Sequence, residues 1–467
     1  MSDQSATRAQ SLFDDPRITQ ARQLMLQALR DHQAELTSPA PPIDALVADY
    51  QQQLAAFADL RGGGLYYPYL GSGLGDGALV ELGDGSVKYD MITGIGVHCF
   101  GHSHPDLVNA AIDAALRDTI MQGNLQQNLE SESLCQQFVD AAIEAGSNLR
   151  HCFITTSGAM ANENALKLIF QKHYPADRVL AFEHCFMGRT LALSTITDKA
   201  ANRQGLPLTI GVDYIPFFDP ADPAGSTARA VNALKDAIHR HPCRHACMCL
   251  ELVQGEGGFN VGDRDFFIAL IDVLKQNNVA VFIDEIQTFG RTTELFGFQT
   301  FDLAQCVDVI TVGKLTQVCA TLFSDQYIPR PGLISQTFTG ASSSIRAAQC
   351  IMNHLRRGKY HGPDGRIAQI HQRFIHHFHC LHKRHPDWIT GPHGLGGMIA
   401  FTAFDGSPEL TKQTLAALYD EGVIAFLAGA DPARIRMLPP FAVITDQQID
   451  IVCERLEKAL EKVAAKL

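Results

Sequence analysis

Between residues 106 and 345, short and almost uninterrupted apolar runs alternate with segments of helical periodicity. The runs are Cys152-Phe-Ile-Thr-Thr156, Arg178-Val-Leu-Ala-Phe182, Ala246-Cys-Met-Cys-Leu-Glu-Leu252, Val279-Ala-Val-Phe-Ile283 and Val307-Asp-Val-Ile-Thr-Val312. A strand with one wet face alternates apolar and polar residues, whereas a strand covered on both faces stays apolar throughout. The pattern therefore predicts an α/β unit with a mainly parallel sheet between helical layers, and ligands bind such sheets beyond the carboxyl ends of the strands. Upstream, apolar positions at helical spacing in 18–36 (Ile18, Leu24, Leu26, Leu29) and 43–60 (Leu46, Val47, Tyr50, Leu54, Phe57) predict a helical arm, divided by Ser38-Pro-Ala-Pro-Pro42. Glycine is dense from 62 to 85, with Tyr66, Tyr67 and Tyr69 interleaved, and the Asp84-Gly85 turn precedes a predicted strand at Ser86–Met91. Beyond 346 come long helices and a terminal amphipathic one carrying Ile449, Val452, Leu456, Leu460 and Val463. The expected organisation is an arm (1–61), the amino-terminal part of a small domain (62–105), a large domain (106–345) and a carboxyl-terminal small α+β domain (346–467).

Composition narrows the partners. Of 467 residues, 46% are hydrophobic and 19% charged, and 38 basic against 50 acidic residues give a net charge of −12. No basic field is available for nucleic acid or an anionic membrane, which leaves small molecules as the expected ligands. There is no apolar run of eighteen residues, and Met1-Ser-Asp-Gln-Ser-Ala-Thr-Arg8 has no apolar signal core, so a cytoplasmic location is expected. Twelve cysteines are scattered, several within apolar runs, as reduced buried thiols would be.

Chemistry is first visible at the strand ends. Val279–Ile283 runs into Asp284, Glu285, Ile286 and Gln287, and Val307–Val312 runs into Gly313 and Lys314. A carboxylate, an amide and an ammonium thus fall at the ligand edge of the sheet, where a structural ion pair is the plain alternative to a functional one. Ser157-Gly158-Ala159 opens a helix after another strand, an arrangement that can cradle phosphate on free backbone N–H groups or serve as an ordinary cap. Phe186 could stack on a flat ligand and Arg189 could fork onto a carboxylate; the bland alternatives are a core ring and a surface charge.

Taken in order, Gly101-His-Ser-His-Pro105, Ser157-Gly-Ala159, Phe186-Met-Gly-Arg-Thr190, Glu251-Leu-Val-Gln-Gly-Glu-Gly-Gly258, Asp284-Glu-Ile-Gln-Thr288, Gly290-Arg-Thr292, Gly313-Lys314 and Thr337-Phe-Thr-Gly340 resemble the class III, or ω, pyridoxal-phosphate-dependent aminotransferases across about residues 62–455. The Gly313–Cys319 segment is also similar to that of lysine 6-aminotransferases. The resemblance implies fold type I, with a mainly parallel seven-stranded sheet, and pyridoxal 5'-phosphate as cofactor. It further implies that Lys314 is the Schiff-base lysine and proton carrier, with Asp284 as the carboxylate facing the pyridine nitrogen. Gln287 would lie near the ring hydroxyl, Phe186 on the ring face, and Gly158 and Ala159 at the phosphate. Thr337 would reach the phosphate of a neighbouring subunit, implying a homodimer with shared active sites. For substrate, Arg189 resembles the arginine for a donor's distal carboxylate, Arg436 the arginine for the α-carboxylate of glutamate, and Glu256 the carboxylate that neutralises Arg436 in one half-reaction and leaves it in the other.

The implied reaction moves a terminal amino group from an ω-amino or diamino acid to 2-oxoglutarate, giving a semialdehyde and glutamate. Lysine is the leading donor, with 4-aminobutyrate, ornithine and acetylornithine as alternatives; a decarboxylase or aminomutase of the same fold, or a binding protein without catalysis, are the rivals. Met187 stands where His or Trp is usual after the stacking ring, so a polar substrate contact is expected to be lost there. A glycine is missing after Thr288, and Ala341-Ser342 replaces Gly-Asn. No metal is expected: His239–Cys249 matches no zinc spacing, and His376, His377, His379, His382 and His385 fall on several faces of a helix. His102 and His104 are expected to shape the turn before Pro105.

Overall fold

The computed structural model describes residues 6–118 and 126–467, so most of the Met1–Arg8 stretch read above lies outside the described residues. At its centre is a seven-stranded sheet in the order His151–Thr155, Cys319–Phe323, Val309–Val312, Ala280–Glu285, His245–Leu250, Arg178–Phe182, Gly211–Ile215. Cys319–Phe323 is antiparallel to both of its neighbours and every other pairing is parallel. The five expected strands are present within a few residues of their predicted bounds. The two that the pattern did not flag are Cys319–Phe323, which begins only five residues after Lys314, and the half-buried edge strand Gly211–Ile215.

Strand periodicity decides what faces what. Ala280 and Phe282 pack with Ala165, Leu166 and Ile169 of the helix Gly158–Lys172, whereas Val281 and Ile283 join the core on the other face with Phe266 and Leu270 of the helix Arg264–Gln276. Continued at period two, Asp284 must face Gly158–Lys172 and Glu285 must face away. Accordingly, Glu285 accepts from the backbone N–H of Gly297 (2.7 Å) and Phe298 (2.8 Å) in the opposite layer.

Two four-stranded sheets flank this unit, and Val253–Gln254 pairs with Asn260–Val261 in a short two-stranded one. One joins Gly71–Asp76, Leu79–Leu82 and Val87–Asp90 to Val423–Ile424, and the other is antiparallel, in the order Ile389–His393, Ile399–Ala403, Arg434–Met437, Phe426–Ala428. The terminal helix Asp446–Ala464 starts with a reciprocal cap between Thr445 and Gln448 and buries all five of its predicted apolar positions. The arm helices Pro16–Gln33 and Asp44–Arg61 behave differently: each buries a single residue, Gln33 and Tyr50, while Leu24, Met25, Phe57 and Leu60 are exposed. Among the described residues, no helix is long and apolar enough to cross a membrane.

Candidate active site

The parallel register sets Asp284 opposite Thr311 and Glu285 opposite Val312, two residues short of Lys314. The acid and the amine therefore emerge at the same carboxyl edge, on adjacent strands. Lys314 begins a 3-10 turn, Lys314–Thr316, with φ at +51°, a left-handed conformation that a side chain adopts only at a cost of about 1–3 kcal/mol. The preceding Gly313 is required by close approach, since a Cβ there would sit 2.5 Å from the Cys319 Sγ. Desolvation pushes the Lys314 ammonium down to about 8; Arg436 and Arg291 push the same way, while Glu256 and Asp284 oppose them.

Asp284 is buried and held on both oxygens, Oδ1 accepting from Ile286 N (2.9 Å) and Oδ2 from Asn162 Nδ2 (2.8 Å). Burial raises its carboxyl to about 6, against the opposing pull of those hydrogen bonds and of Lys314. Asn162 also donates to the Met187 carbonyl (2.7 Å) and accepts from Thr311 Oγ1 (2.7 Å), so one amide joins the helix, two strands and the Phe186 loop. The sequence reading missed Asn162, although a cue was present: asparagine disfavours helix interiors, and here it sits within the apolar face of a helix.

A second buried carboxylate organises the opposite wall. Glu251 Oε2 accepts from Phe186 N (2.8 Å) and Oε1 from Gly255 N (3.1 Å), so one side chain anchors both the ring and the turn leading to Glu256. Burial, reinforced by Asp284, lifts this carboxyl to about 8. The Gln287 amide lies against Gly255, where a Cβ would come within 2.1 Å of Nε2, and its buried Oε1 has no partner among the described residues. Arg291, fully buried and without a carboxylate partner among the described residues, donates to the Gln287 carbonyl at 3.0 Å; burial brings its guanidinium down to about 10.

Arg436 is buried; its Nη2 meets Glu256 Oε1 at 2.7 Å and its Nη1 donates to the Gly255 carbonyl at 3.3 Å. Arg436, aided by Lys314, holds the Glu256 carboxyl below its ordinary value against the desolvation that would raise it. Arg189 is exposed, its guanidinium 5.8 Å from the Phe186 ring centre. Among the three tyrosines, Tyr67 is the one whose charge environment includes Arg436 and Glu256; it stacks on Phe426 at 3.7 Å and accepts from Leu427 N at 2.8 Å. Tyr66 is exposed, and Tyr69 lies against Tyr419.

Gly158 and Ala159 are in the first turn of their helix, whose N–H groups lack intrahelical acceptors, and the Ser157 Oγ caps Met160 N at 3.2 Å. A Cβ on Gly158 would meet Ile286 at 3.0 Å, which makes Ile286 a second apolar residue at the edge and one to which the sequence reading gave no role. Thr337, like Arg189, is exposed, and it lies on the loop before the helix Ser342–Arg357. Met187 is 1% exposed and packs in the core, so it does not face the ligand space; Ala341 directly precedes the helix Ser342–Arg357. His102 pairs with Asp90 (2.9 Å), His104 caps the helix Pro105–Ala115, His245 pairs with Asp213 (2.7 Å) and His377 with Asp450 (2.6 Å). Among the described residues, no cluster of three His, Cys, Asp or Glu is placed to hold a metal ion.

A primary amine with weakened proton affinity, a buried carboxylate, an unpaired amide oxygen, an aromatic face and free helix amides suit a phosphorylated pyridine aldehyde. Residues 72–460 match the family model Aminotransferase class-III. The chain belongs to the class III aminotransferases. It is thus a transaminase that uses pyridoxal phosphate. Relatives include an acetylornithine aminotransferase of Prochlorococcus marinus, 28% identical over 83% of this chain and 90% of the relative, and one of Streptococcus mutans, 30% identical over 77% and 88%. In fold the chain is similar to the lysine aminotransferase of M. tuberculosis (TM-score 0.76, 22% identity, 88% of this chain and 99% of that one). The ornithine aminotransferase of Toxoplasma gondii is similar too (0.74, 22%, 90% and 96%).

Proposed function

We propose that this transaminase transfers the terminal amino group of an ω-amino or diamino acid, lysine-like or ornithine-like, to 2-oxoglutarate. The observation that carries this reading is the Glu256–Arg436 pair at 2.7 Å beside Lys314. An arginine already neutralised by a carboxylate is a poor site for a second one, so the paired state favours a donor whose reacting amine is remote from its carboxylate. The unpaired state favours 2-oxoglutarate and glutamate, whose α-carboxylate would take Arg436. Arg189, exposed beside Phe186, is positioned for the donor's distal carboxylate. A decarboxylase or aminomutase has no use for such an alternation.

Bound pyridoxal phosphate supplies a carbonyl that condenses with amines and a ring that withdraws electrons from the neighbouring carbon. Gly158 and Ala159 would hold its phosphate through backbone N–H groups, Phe186 would cover one ring face, and Gln287 would offer its unpaired amide to the ring hydroxyl. Asp284, ionised above about pH 6, would keep a proton on the ring nitrogen. Lys314, with its proton affinity lowered to about 8, has a neutral Nζ available near neutral pH to take a proton from the donor carbon and return it.

We further infer a homodimer in which the exposed Thr337 serves the neighbouring subunit's phosphate; the exposed apolar residues of the arm and Phe338, 57% exposed, support a covered surface. A cytoplasmic location accords with twelve free cysteines. The decisive experiment offers lysine, ornithine, acetylornithine, 4-aminobutyrate and putrescine to the holoenzyme, following the visible band of the cofactor and glutamate formed from 2-oxoglutarate. An ω-amine that discharges the band and yields stoichiometric glutamate supports the reading. Carbon dioxide release, or failure of every ω-amine while α-amino acids react, overturns it.

A further inference from the structure

Arg434 and Arg436 lie two positions apart on one strand, opposite Ala428 and Phe426, and so project from the same face. Glu256 pairs with Arg436 and not with Arg434. Arg434 is half-buried and has no carboxylate partner among the described residues; its Nη1 donates to the Gly258 carbonyl (2.6 Å) and to Asn260 Oδ1 (2.8 Å), while its buried Nε donates to nothing. Both acceptors belong to the segment that carries Glu256, so the second guanidinium is fastened to the turn that bears that carboxylate. Glu256 and Arg434 also line a common cavity of about 200 Å³, together with Asp198, Asp431 and the exposed Lys199. The side chain therefore has space to leave Arg436 and a cation to go to.

We propose that Arg434 is the second station of Glu256: when a substrate α-carboxylate occupies Arg436, Glu256 moves along the strand face to Arg434 and accepts from its free Nε–H. The inference rests on the alternating-substrate reading and deepens it by accounting for the displaced charge. Without such a station, two carboxylates would compete for the Arg436 guanidinium in a desolvated space; with it, the displaced carboxylate gains a guanidinium of its own. Arg434 is thus a positioning residue for the half-reaction that uses glutamate and 2-oxoglutarate.

The test is a double-mutant cycle on the holoenzyme with Arg434→Gln, Glu256→Ala and their combination, with Arg434→Lys as the charge-retaining control. Affinity for glutarate, an unreactive dicarboxylate, is measured by calorimetry, and the two half-reactions by single-turnover spectroscopy. Arg434→Gln is expected to weaken glutarate about 10-fold and to shift the ratio of glutamate to ω-amine specificity constants by a similar factor, as is usual for a coupled charge pair. Arg434→Lys recovers most of the loss, and in the Glu256→Ala background Arg434→Gln has no further effect. A loss that persists undiminished in that background means that Arg434 holds the ligand itself and overturns the proposal. So does unaltered glutarate binding, or an equal fall in both half-reactions. Wild-type enzyme that makes no glutamate, with Glu256→Ala leaving dicarboxylate binding untouched, instead defeats the alternating-substrate reading beneath it.

Discussion

Replacing Asn162 by alanine tests the site through a residue that would touch neither substrate nor cofactor. Its Nδ2 donates to Asp284 Oδ2 at 2.8 Å inside a buried cluster, and a hydrogen bond to a charged group contributes about 1.5–3 kcal/mol. At 1.36 kcal/mol per pKa unit, losing it raises the Asp284 carboxyl by about 1–2 units, since only the ionised form gains from that donor. Starting from about 6, the carboxyl would reach roughly 7–8, so the ionised fraction at pH 7 falls from about nine tenths to between a half and a tenth. The sign is fixed: activity lost at neutral pH returns as the pH is raised. In the holoenzyme, the acidic limb of kcat against pH should move upward by about 1–2 units, with partial rescue near pH 8.5. Stability falls too, because the Met187 carbonyl and the Thr311 hydroxyl lose a buried partner at about 1–3 kcal/mol each. An acidic limb left in its wild-type position, in a variant that still binds the cofactor, would refute the assignment of Asp284 as the titrating acid.

Three further outcomes are expected. Glu256→Ala leaves Arg436 buried and unpaired at a cost of roughly 2–3 kcal/mol, which a ligand α-carboxylate recovers; calorimetry should show glutarate binding about 30- to 150-fold tighter. Gly255→Ala puts a methyl 2.1 Å from the present position of Gln287 Nε2, so Gln287 must swing away, and equilibrium dialysis should show cofactor affinity reduced by about 10-fold with the unfolding midpoint little changed. Glu251, raised to about 8 from an unfolded value of 4.5, keeps a proton in the fold that the unfolded chain releases, so its destabilising contribution grows as the pH rises from 4.5 to 8. Glu251→Gln should flatten the slope of unfolding free energy against pH over that window, as read from denaturant titrations of the unliganded chain.

The groups that end strands were legible in the sequence because an apolar run stopped by Asp284 or Lys314 marks the ligand edge without knowledge of any contact. Arg436 and Glu256 required the family resemblance, since one lies on a strand and the other in a distant turn, and no spacing links residues 180 positions apart. Support was harder to read. Glu251 stood in plain view within its motif, yet that it binds Phe186 N and Gly255 N depends on how two loops fold over the strand end. Met187 follows the ring residue at a position where loss of a polar substrate contact was expected; the turn directs its side chain inward, a matter of backbone dihedrals and not of residue type. The tyrosines of 66–69 lie in a loop with no period to assign faces, and only tertiary packing singles out Tyr67. Cys319–Phe323 escaped notice because it begins five residues after Lys314 and returns antiparallel, outside the alternation of strands and helices.

The two-pronged grip of Glu251 limits how this protein could be re-engineered. Exchanging residues 183–190 for the equivalent loop of a relative, while keeping 251–260, would leave a carboxylate shaped for two amides facing one. Grafts that swap both loops together should therefore be tolerated, and single-loop chimeras should fail in the fold before they fail in catalysis.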